Sequence, residues 1–430
     1  MPRRLAGLFR CALGVVLIAG CATPAPPPNV APPDVHLSPV YDLLVGETVR
    51  DKVDVIVDRA GLAHVLIAST RRKEVHHVIV GPEGVVKREL VRSATSPNSM
   101  DAVFDEHGVL HVLLDCRHWI RQDGIWRAGD PPPWELAGFK PLRCWFVSGA
   151  PHLTWAFVLR GNDVGAPGRW DWYGFGGGPA GIIWPWHTPA SKLVIVIPGI
   201  DNSGNWIVFD PTDKLDAANA RTLADRRGYV LVMYEAMSSG FSGINYPRFA
   251  RLPLALPSAK AGQRGIPAGT RQKVLLWPVS GQSLTAHFAN QDRGLGHDAA
   301  IALDPVSGTA LVVRPHDGSG VLRGEVWSGE IPLPLTTFWD PRLAPAGGDR
   351  FHAMLVGERD PWMGKDFDVL YLAFADGQWS APVEVGVANV SSIWGHVWDS
   401  VAIGSAGTQQ ALVIWPMADR IVGRWVSLRH

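Results

Sequence analysis

The stretch Asp58-Arg-Ala-Gly61-Leu-Ala-His64-Val-Leu66 recurs 47 residues later as Asp105-Glu-His-Gly108-Val-Leu-His111-Val-Leu113. In both copies an Asp and a Gly three residues later mark a tight turn, and apolar residues follow the Gly. Looser copies begin at Asp225 and Asp304. We therefore predict a strand, a tight turn and a second strand at each copy.

A second recurring element is Gly-x-Trp, which in several copies follows a run of apolar residues. This layout predicts a β-hairpin whose outer strand begins with a large ring. The copies are Gly124-Ile-Trp126, Gly168-Arg-Trp170, Gly204-Asn-Trp206, Gly377-Gln-Trp379 and Gly423-Arg-Trp425.

Repeats of 40–50 residues built from short strands indicate an all-β β-propeller, because one such unit cannot bury its own faces and must stack on neighbours. About seven four-stranded blades fit the chain, and six or eight remain alternatives. The last unit ends after a third strand, 421–428, so we expect 40–49 to supply the outer strand and close the ring. The predicted units begin near residues 51, 98, 140, 190, 270, 337 and 387.

The fourth unit fits this pattern least well, and we expect an irregular insertion around 190–270. The segment Asp213–Arg227 reads as a helix, followed by a strand over Tyr229–Tyr234. A strand-helix-strand piece is one interpretation, and an extended loop or insertion within a blade is the preferred one.

The Asp-x-x-Gly-x-x-His-Val turns and Asp376-Gly-Gln-Trp-Ser-Ala-Pro-Val resemble the repeats of sialidase-like (BNR-type) propeller proteins. This resemblance implies a propeller over most of 50–430. The strict Asp-box of that superfamily, Ser-x-Asp-x-Gly-x-x-Trp, is not matched, since the spacing from Asp201 to Gly204 is one residue too long. The resemblance therefore does not carry enzyme activity with it.

The N-terminus reads as a secretory signal, with basic Arg3 and Arg4 before a short apolar run. The run ends at Cys21 and resembles the lipobox of bacterial lipoproteins, which implies a signal peptide over 1–20 and a lipidated Cys21. A membrane-spanning helix is the alternative, but Arg10 interrupts this run and it is short for one. Ala22 stands where an Asp would signal inner-membrane retention, so the resemblance favours an outer-membrane lipoprotein of the bacterial cell envelope.

Residues 21–39 then read as a lipidated Cys and a Pro-rich tether, and 40–430 as the propeller domain. The tether includes seven prolines between Ala22 and Pro39, which favour an extended polyproline II conformation. The expected partners are a membrane, through the lipid anchor, and an envelope protein or glycan.

The composition is that of a globular protein, with 47% hydrophobic residues and 40 basic and 40 acidic residues. A zero formal charge argues against a nucleic-acid partner, which usually requires a basic surface. Of four cysteines, Cys11 belongs to the signal and Cys21 to the lipid anchor. We expect Cys116 and Cys144 to form a disulfide in an oxidising compartment, with two buried free thiols as the alternative.

No motif predicts catalysis, so we expect a protein that is not an enzyme and has no cofactor. Ser239, Ser242 and Ser283 lack the Gly-x-Ser-x-Gly spacing of a nucleophile elbow. Histidines at 76, 77, 107 and 111 show no helical metal-binding spacing, so no metal site is predicted. The sequence does not show which acids converge among Asp201, Glu235, Asp298, Asp340 and Asp399.

The candidate ligand site is aromatic and lies beside the glycines 176–178. Tryptophan faces suit sugar rings, although such rings also pack between blades. Its residues are Trp170, Trp172, Tyr173, Trp184 and Trp186. The sequence thus predicts a membrane-anchored binding or scaffolding module for a protein or glycan, and the alternative is a sialidase-like glycan hydrolase or lyase acting at one mouth of the propeller axis.

Overall fold

A computed structural model describes residues 34–46, 51–69, 71–93, 99–136, 140–141, 143–150, 153–159, 192–197, 205–210, 215–237, 245–253, 273–278, 284–285, 300–314, 318–324, 326–335, 339–358, 366–389 and 400–429. Over these ranges the chain is nearly all β, as predicted. The exception is one short helix, α1, over Pro133–Leu136. No helix in the same ranges is long and apolar enough to cross a membrane.

The first half of the chain contains two N-terminal strands and three sheets. The N-terminal strands are β1 (Val35–Leu37) and β2 (Tyr41–Val45). Sheet 1 contains β3 (Lys52–Val57), β4 (Ala63–Ser69), β5 (Glu74–Gly81) and β6 (Gly84–Ser93). Sheet 2 contains β7 (Met100–Phe104), β8 (Leu110–Leu114), β9 (Arg117–Gln122) and β10 (Ile125–Ala128). Sheet 3 contains β11 (Arg143–Phe146), β12 (Trp155–Leu159), β13 (Lys192–Ile197) and β14 (Asn205–Asp210). A strand from later in the chain, Lys273–Pro278, pairs parallel with β14.

The second half forms four further sheets. Sheet 4 contains β15 (Leu215–Ala224), β16 (Tyr229–Met237) and β17 (Asn245–Pro253), followed by β18 (Lys273–Pro278) of sheet 3 and then β19 (Leu284–Thr285) of sheet 4. Sheet 5 contains β20 (Ala300–Leu303), β21 (Thr309–Arg314), β22 (Gly318–Arg323) and β23 (Val326–Ile331). Sheet 6 contains β24 (Trp339–Gly347), β25 (Arg350–Glu358), β26 (Asp366–Ala375), β27 (Gln378–Trp379) and β28 (Val383–Asn389). Sheet 7 contains β29 (Ala402–Ser405), β30 (Gln410–Met417) and β31 (Arg420–Leu428).

The four predicted Asp/Gly repeats all join the first two strands of a sheet. In sheets 1, 2, 4 and 5 the Asp side chain accepts backbone N–H bonds from the turn that follows it. The glycine of each turn has a φ between 70° and 84°, the left-handed region that favours glycine. The glycines are Gly61, Gly108, Gly228 and Gly308. The prediction of strand, tight turn and strand is confirmed.

Within the described residues, five pairs of consecutive sheets pack on each other through apolar faces. Described core clusters are shared by sheets 1 and 2, 4 and 5, 5 and 6, 6 and 7, and 7 and 1. The first strands of consecutive sheets also contact one another, from β3 to β7, β11, β15, β20, β24 and β29, and β29 contacts β3. Hydrogen bonds between Asp turns also join neighbouring sheets. For example, the Asp349 N–H of sheet 6 donates to Asp304 Oδ2 of sheet 5 at 2.9 Å.

The N-terminal strands complete the last sheet. Sheet 7 has three strands from the C-terminal end of the chain, and both β1 and β2 pair antiparallel with β31. The expected pairing of 40–49 with the last strand is therefore confirmed for Tyr41–Val45. Leu43 is fully buried beneath this pairing.

Three sequence expectations are corrected by the strands. The helical interpretation of 213–227 is wrong, and the segment is not a loop within a blade either: residues 215–224 are β15, because sheet pairing with β16 outweighs the helical propensity of the segment. The unit starts near 190, 270 and 387 are also wrong, since 192–197 is the third strand of sheet 3, 383–389 is the last strand of sheet 6, and the next first strands begin at 215, 300 and 402. The described residues within the expected insertion form regular strands of two sheets.

The Gly-x-Trp prediction is confirmed at Gly124 and Gly377 and wrong at Gly423, whereas Gly168 and Gly204 lie outside the described residues. Gly124 and Gly377 each follow an Asp with positive φ, so the Asp-Gly pairs form two-residue hairpin turns before β10 and β27. Gly423 instead lies inside β31, where a Cβ would approach Leu43 Cδ1 to 3.1 Å. Glycine occupies position 423 because the space beneath β2 is too small for a side chain, and not because the chain turns there.

Candidate functional site: a charged cavity beside an Asp-His-His chain

The Asp turns of sheets 1 and 2 each support a chain of hydrogen-bonded imidazoles. Asp58 and Asp105 use Oδ1 to accept two turn N–H groups, at distances between 2.7 and 2.9 Å. Their Oδ2 atoms face the histidine six residues later, His64 or His111, at 3.3 Å in both sheets. The repeat therefore positions a carboxylate against an imidazole twice.

The chain of sheet 2 runs from a turn to the wall of a cavity. His111 Nδ1 lies 2.9 Å from His118 Nε2, and the two rings are stacked. His118 Nδ1 lies 3.1 Å from the Asp130 carbonyl oxygen, which can only accept a hydrogen bond. We call these groups the sheet-2 chain: Asp105, His111, His118 and the Asp130 carbonyl.

The chain of sheet 1 has the same first three members but a charged end. His64 Nδ1 lies 2.9 Å from His77 Nε2, and His77 Nδ1 lies 3.1 Å from Glu89 Oε2. Glu89 also accepts hydrogen bonds from Arg121 Nε at 2.7 Å and from Trp126 Nε1 at 3.2 Å, both in sheet 2. This chain therefore ends in a link between two sheets.

Strand register explains why the rings meet. His64 pairs with Ile79 and His111 pairs with Ile120, so in each sheet the second histidine lies two residues away on the same face. His352 of sheet 6 pairs with Ala373, and Tyr371 occupies the equivalent position. There Tyr371 Oη lies 2.6 Å from His352 Nδ1, and the Gly407 carbonyl accepts from His352 Nε2 at 2.9 Å.

Burial governs the titration of these rings. It lowers the pKa of His77 and His118 to about 4, and it also lowers the pKa of His64 and His111, against the opposing effect of their Asp partners. Burial would raise the pKa of Glu89, but hydrogen bonds from Arg121, Lys87 and His77 outweigh it and hold that pKa well below its usual range. At neutral pH each ring accordingly carries a single proton.

Asp130 and His118 both line a cavity of about 880 Å³ at one end of sheet 2. The cavity opens where β8 ends, β9 begins and β10 ends, next to α1. Its charged lining consists of three basic and three acidic side chains, and all but Arg92 are exposed. They are Arg92, Arg117, Lys140, Asp115, Asp130 and Glu135.

A disulfide and a buried tryptophan hold the base of the cavity. Cys116 bonds to Cys144, the second residue of β11, so the predicted disulfide is confirmed. Asp115 and Cys116 form the two-residue turn between β8 and β9 with φ of 49° and 58°, a strained conformation for non-glycine residues. Trp134 is 2% exposed and donates its indole N–H to the Cys116 carbonyl at 3.1 Å.

Trp119 and Arg92 form one side of the cavity. The Arg92 guanidinium lies over the Trp119 ring, 5.2 Å from its centroid, at the distance of a cation–π contact. The Trp119 Nε1 atom is buried without a hydrogen-bond acceptor among the described residues. Arg92 thus covers one face of the only half-buried tryptophan in the described lining.

A second unusual group lies on the first strands of sheets 1 to 3. Asp54 of β3 and Asp101 of β7 both accept from the Ala102 N–H, and Asp101 also accepts from the Phe146 N–H of β11. Burial raises the pKa of Asp54 to about 6. Burial and the nearby Asp54 charge raise the pKa of Asp101 to about 8. This carboxyl pair therefore joins three sheets and retains a proton at neutral pH.

Much of the sequence-predicted site lies outside the described residues. This applies to Trp170, Trp172, Tyr173, Trp184 and Trp186, and to the lipidation residue Cys21. The segment that carries the aromatic residues connects Leu159 to Lys192, which pair at the ends of β12 and β13. Among the acids considered, Glu235 and Asp340 lie on different sheets, in β16 and β24.

Sequence reasoning missed the cavity but identified one group near it. His111 was recognised through the repeat, whereas its link to His118 depends on a strand register that the sequence does not show. The run Asp130-Pro-Pro-Pro-Trp134 was an available signal, since consecutive prolines before a tryptophan are unusual within a strand repeat. Within the described ranges no three His, Cys, Asp or Glu side chains are grouped so as to hold a metal ion.

Comparisons with known proteins give structural likeness only. No family model matches the sequence, and no curated protein matches it. The solved structures with similar folds include β-propeller proteins. One is the β-propeller domain of the Trilobed protease from Pyrococcus furiosus, with 9% identity, a TM-score of 0.44 and coverage of 87% of this chain and 95% of that one.

Two other similar structures are a polysaccharide lyase and a peptide complex. An ulvan lyase bound to its oligosaccharide has 10% identity and a TM-score of 0.47, with 88% of this chain and 95% of that chain covered. YCF48 bound to D1 peptide has 12% identity and a TM-score of 0.45, with 93% and 98% covered. At such low identities, the function has to be inferred from this chain's own residues.

Proposed function

We propose that the seven sheets are the blades of one closed propeller, and that β1 and β2 close it by pairing with β31. The contacts of successive first strands support this arrangement, since they return from β29 to β3. The core cluster shared by sheets 7 and 1 supports it as well, and so does the Ser400 hydroxyl, which donates to the Asp51 carbonyl. A ring of this kind holds its loops on a rigid frame, which suits binding.

The function that this frame supports best is a non-enzymatic binding module that takes a ligand in the cavity of sheet 2. The observation that carries the proposal is the cavity itself: about 880 Å³, with exposed charges of both signs around a base held by a disulfide. Cavities of several hundred cubic ångströms with a few placed polar groups are the usual form of ligand sites.

The lining favours a peptide segment of a partner protein over a glycan. Sugar rings are usually bound on open aromatic faces, but Trp134 is 2% exposed and Arg92 covers one face of Trp119. Three basic and three acidic side chains instead match a ligand that carries both charges, as a polypeptide does. The binding experiment below distinguishes this peptide from a glycan partner, and with it from the glycan hydrolase or lyase alternative.

The cell-envelope location remains part of the proposal. The lipobox resemblance at Cys21 and the Pro-rich stretch that precedes β1 support a chain anchored by lipid to a bacterial membrane, with the propeller held beside it. The disulfide supports an oxidising compartment for the cavity.

Selection from a phage-displayed library of random peptides tests the cavity. With the full chain carrying Cys21→Ala, we expect peptides whose affinity falls about tenfold when Arg117 and Lys140 are both replaced by Glu, because two attractive charges become repulsive. Fluorescence anisotropy of a labelled selected peptide measures the change.

A matched variant controls for net charge. Arg127→Glu with Arg226→Glu makes the same charge change at two exposed sites outside the cavity, and we expect the affinity to be unchanged. Equal losses in both variants would contradict the site. If no peptide is selected, and a glycan array identifies a glycan that the parent chain binds but the cavity variant does not, the ligand of the cavity is a glycan and not a peptide.

A further inference from the structure

The two ends of the sheet-2 chain can only accept hydrogen bonds. The Asp130 carbonyl has no proton to give, so His118 Nδ1 must carry the proton of that bond. At the other end, hydrogen bonds from the turn and from His111 hold the pKa of Asp105 below its ordinary value although burial opposes them, so Asp105 is a carboxylate. Two imidazoles therefore lie between two acceptors.

Counting protons shows that this chain is one proton short at neutral pH. The three contacts at 3.3, 2.9 and 3.1 Å need one proton each, whereas two neutral imidazoles supply two. Every neutral arrangement therefore places two lone pairs against each other at one or more of the three contacts. One additional proton, shared by the two rings, satisfies all three contacts.

In the neutral chain, the hydrogen bond at the cavity competes with the bond between the two rings for the single proton of His118. A hydrogen bond to a carboxylate is about twice as strong as one to a neutral acceptor, so His111 Nε2 keeps its proton for Asp105. If His118 Nε2 then donates to His111 Nδ1, His118 Nδ1 has no proton for the Asp130 carbonyl. Lone pairs oppose each other there, in the cavity wall.

We propose that the sheet-2 chain takes up one proton as a unit, and that this proton fixes the Asp130 carbonyl in the cavity wall, so that acidification favours ligand binding in the cavity. The ligand part of this inference rests on the proposed function. The proton part rests on the geometry of the chain alone.

The surroundings place the proton uptake in mildly acidic conditions. Burial lowers the pKa of both rings, so the chain titrates below the ordinary imidazole value of about 6.5. The charged groups that act on the rings are Asp105 and Asp130, and exposed His107 lies on the same turn. The groups packed on His118 from sheet 3 are the uncharged rings of Phe146 and Trp155, and Asp115, Arg117 and Arg92 line the cavity beside it.

Two other chains serve as internal controls. The sheet-1 chain has the same proton deficit but ends at Glu89, away from the cavity. His352 of sheet 6 needs only its one proton to satisfy both of its contacts. The Tyr371 hydroxyl donates to His352 Nδ1, and His352 Nε2 donates to the Gly407 carbonyl. Proton demand therefore differs between sheets that place histidine at the same position.

Nitrogen-15 NMR of histidine-labelled full chain with Cys21→Ala, titrated from pH 7.5 to 4, tests the proton part. We expect His111 and His118 to shift together with one midpoint below 6.5, while His352 does not move at that midpoint. In His118→Gln the amide donates to His111 Nδ1, so we expect His111 to stay neutral as its Nε2–H tautomer. Separate midpoints for the two rings, or no shift in either, would overturn the inference.

The labelled peptide from the selection above tests the coupling. Its affinity is expected to rise about tenfold from pH 7.5 to 5 in the parent chain and in His77→Gln, and to lose this rise in His118→Gln. An equal rise in all three would overturn the coupling. If no peptide is selected, the proposed function fails, and the NMR titration still decides whether the chain takes up its proton as a unit.

Discussion

Replacing Cys116 and Cys144 by alanine is expected to lower the free energy of unfolding by about 3.5 kcal/mol. The disulfide closes a loop with a sequence separation of 28, and in the chain-entropy model such a loop restricts the unfolded chain by about that amount. The bond also joins the turn of sheet 2 to β11 of sheet 3. Urea unfolding followed by tryptophan fluorescence measures the loss.

Reduction supplies the control for this expectation. A reductant should lower the stability of the parent chain to that of the double variant and leave the variant unchanged. The strained turn at Asp115 and Cys116 should then relax, so peptide affinity at the cavity should fall in the variant as well. A loss below 1 kcal/mol would show that the disulfide contributes little to stability.

Asp101→Asn is expected to stabilise the protein at alkaline pH. Burial and the Asp54 charge raise the pKa of Asp101 to about 8, so the folded state retains a proton that the unfolded chain releases near pH 4. The stability of the parent chain therefore falls as pH rises from about 4 to about 8. Asparagine is neutral in both states, so the variant avoids this loss.

The gain should approach about 5 kcal/mol at pH 8 and be close to zero at pH 4, since the pKa in the folded state lies about four units above the ordinary value and one pKa unit corresponds to about 1.4 kcal/mol. The oxygen of the introduced amide still accepts from the Phe146 N–H, and the amide N–H groups are available to Asp54. Unfolding at pH 4, 6 and 8 measures the difference, with exposed Asp123→Asn as the control. A gain that does not grow with pH would contradict the assignment of a shared proton to the pair.

The recurring parts of the fold were predictable because they depend on local chemistry. The Asp58 and Asp105 turns need only an Asp that accepts turn amides and a Gly with positive φ, and both are visible in the sequence. The pairing of 40–49 with the last strand followed from a unit that lacked one strand. The segment 213–227 was misread because helical propensity is visible locally and pairing with β16 is not.

The candidate site was less accessible to prediction because it depends on contacts between distant strands. The histidine at 118 meets His111 only through the register of β8 and β9. The Asp54 and Asp101 pair forms where β3 and β7 contact each other, although the two residues are far apart in the chain. The aromatic residues predicted as a ligand site beside the glycines 176–178 lie outside the described residues, so that prediction stays untested.

The proposed closure of the seven sheets into a ring predicts a cross-link between the first strands of sheets 1 and 7. A Cβ on Gly404 of β29 would lie 2.9 Å from Val55 Cγ2 of β3. In a chain with Cys11→Ala and Cys21→Ala, we expect Val55→Cys with Gly404→Cys to form an intramolecular disulfide on oxidation, identified by mass spectrometry of the monomer. The pair Val55→Cys with Ser405→Cys should not form one, because adjacent residues of a strand point to opposite faces. Equal reactivity of both pairs, or cross-links only between molecules, would contradict the ring.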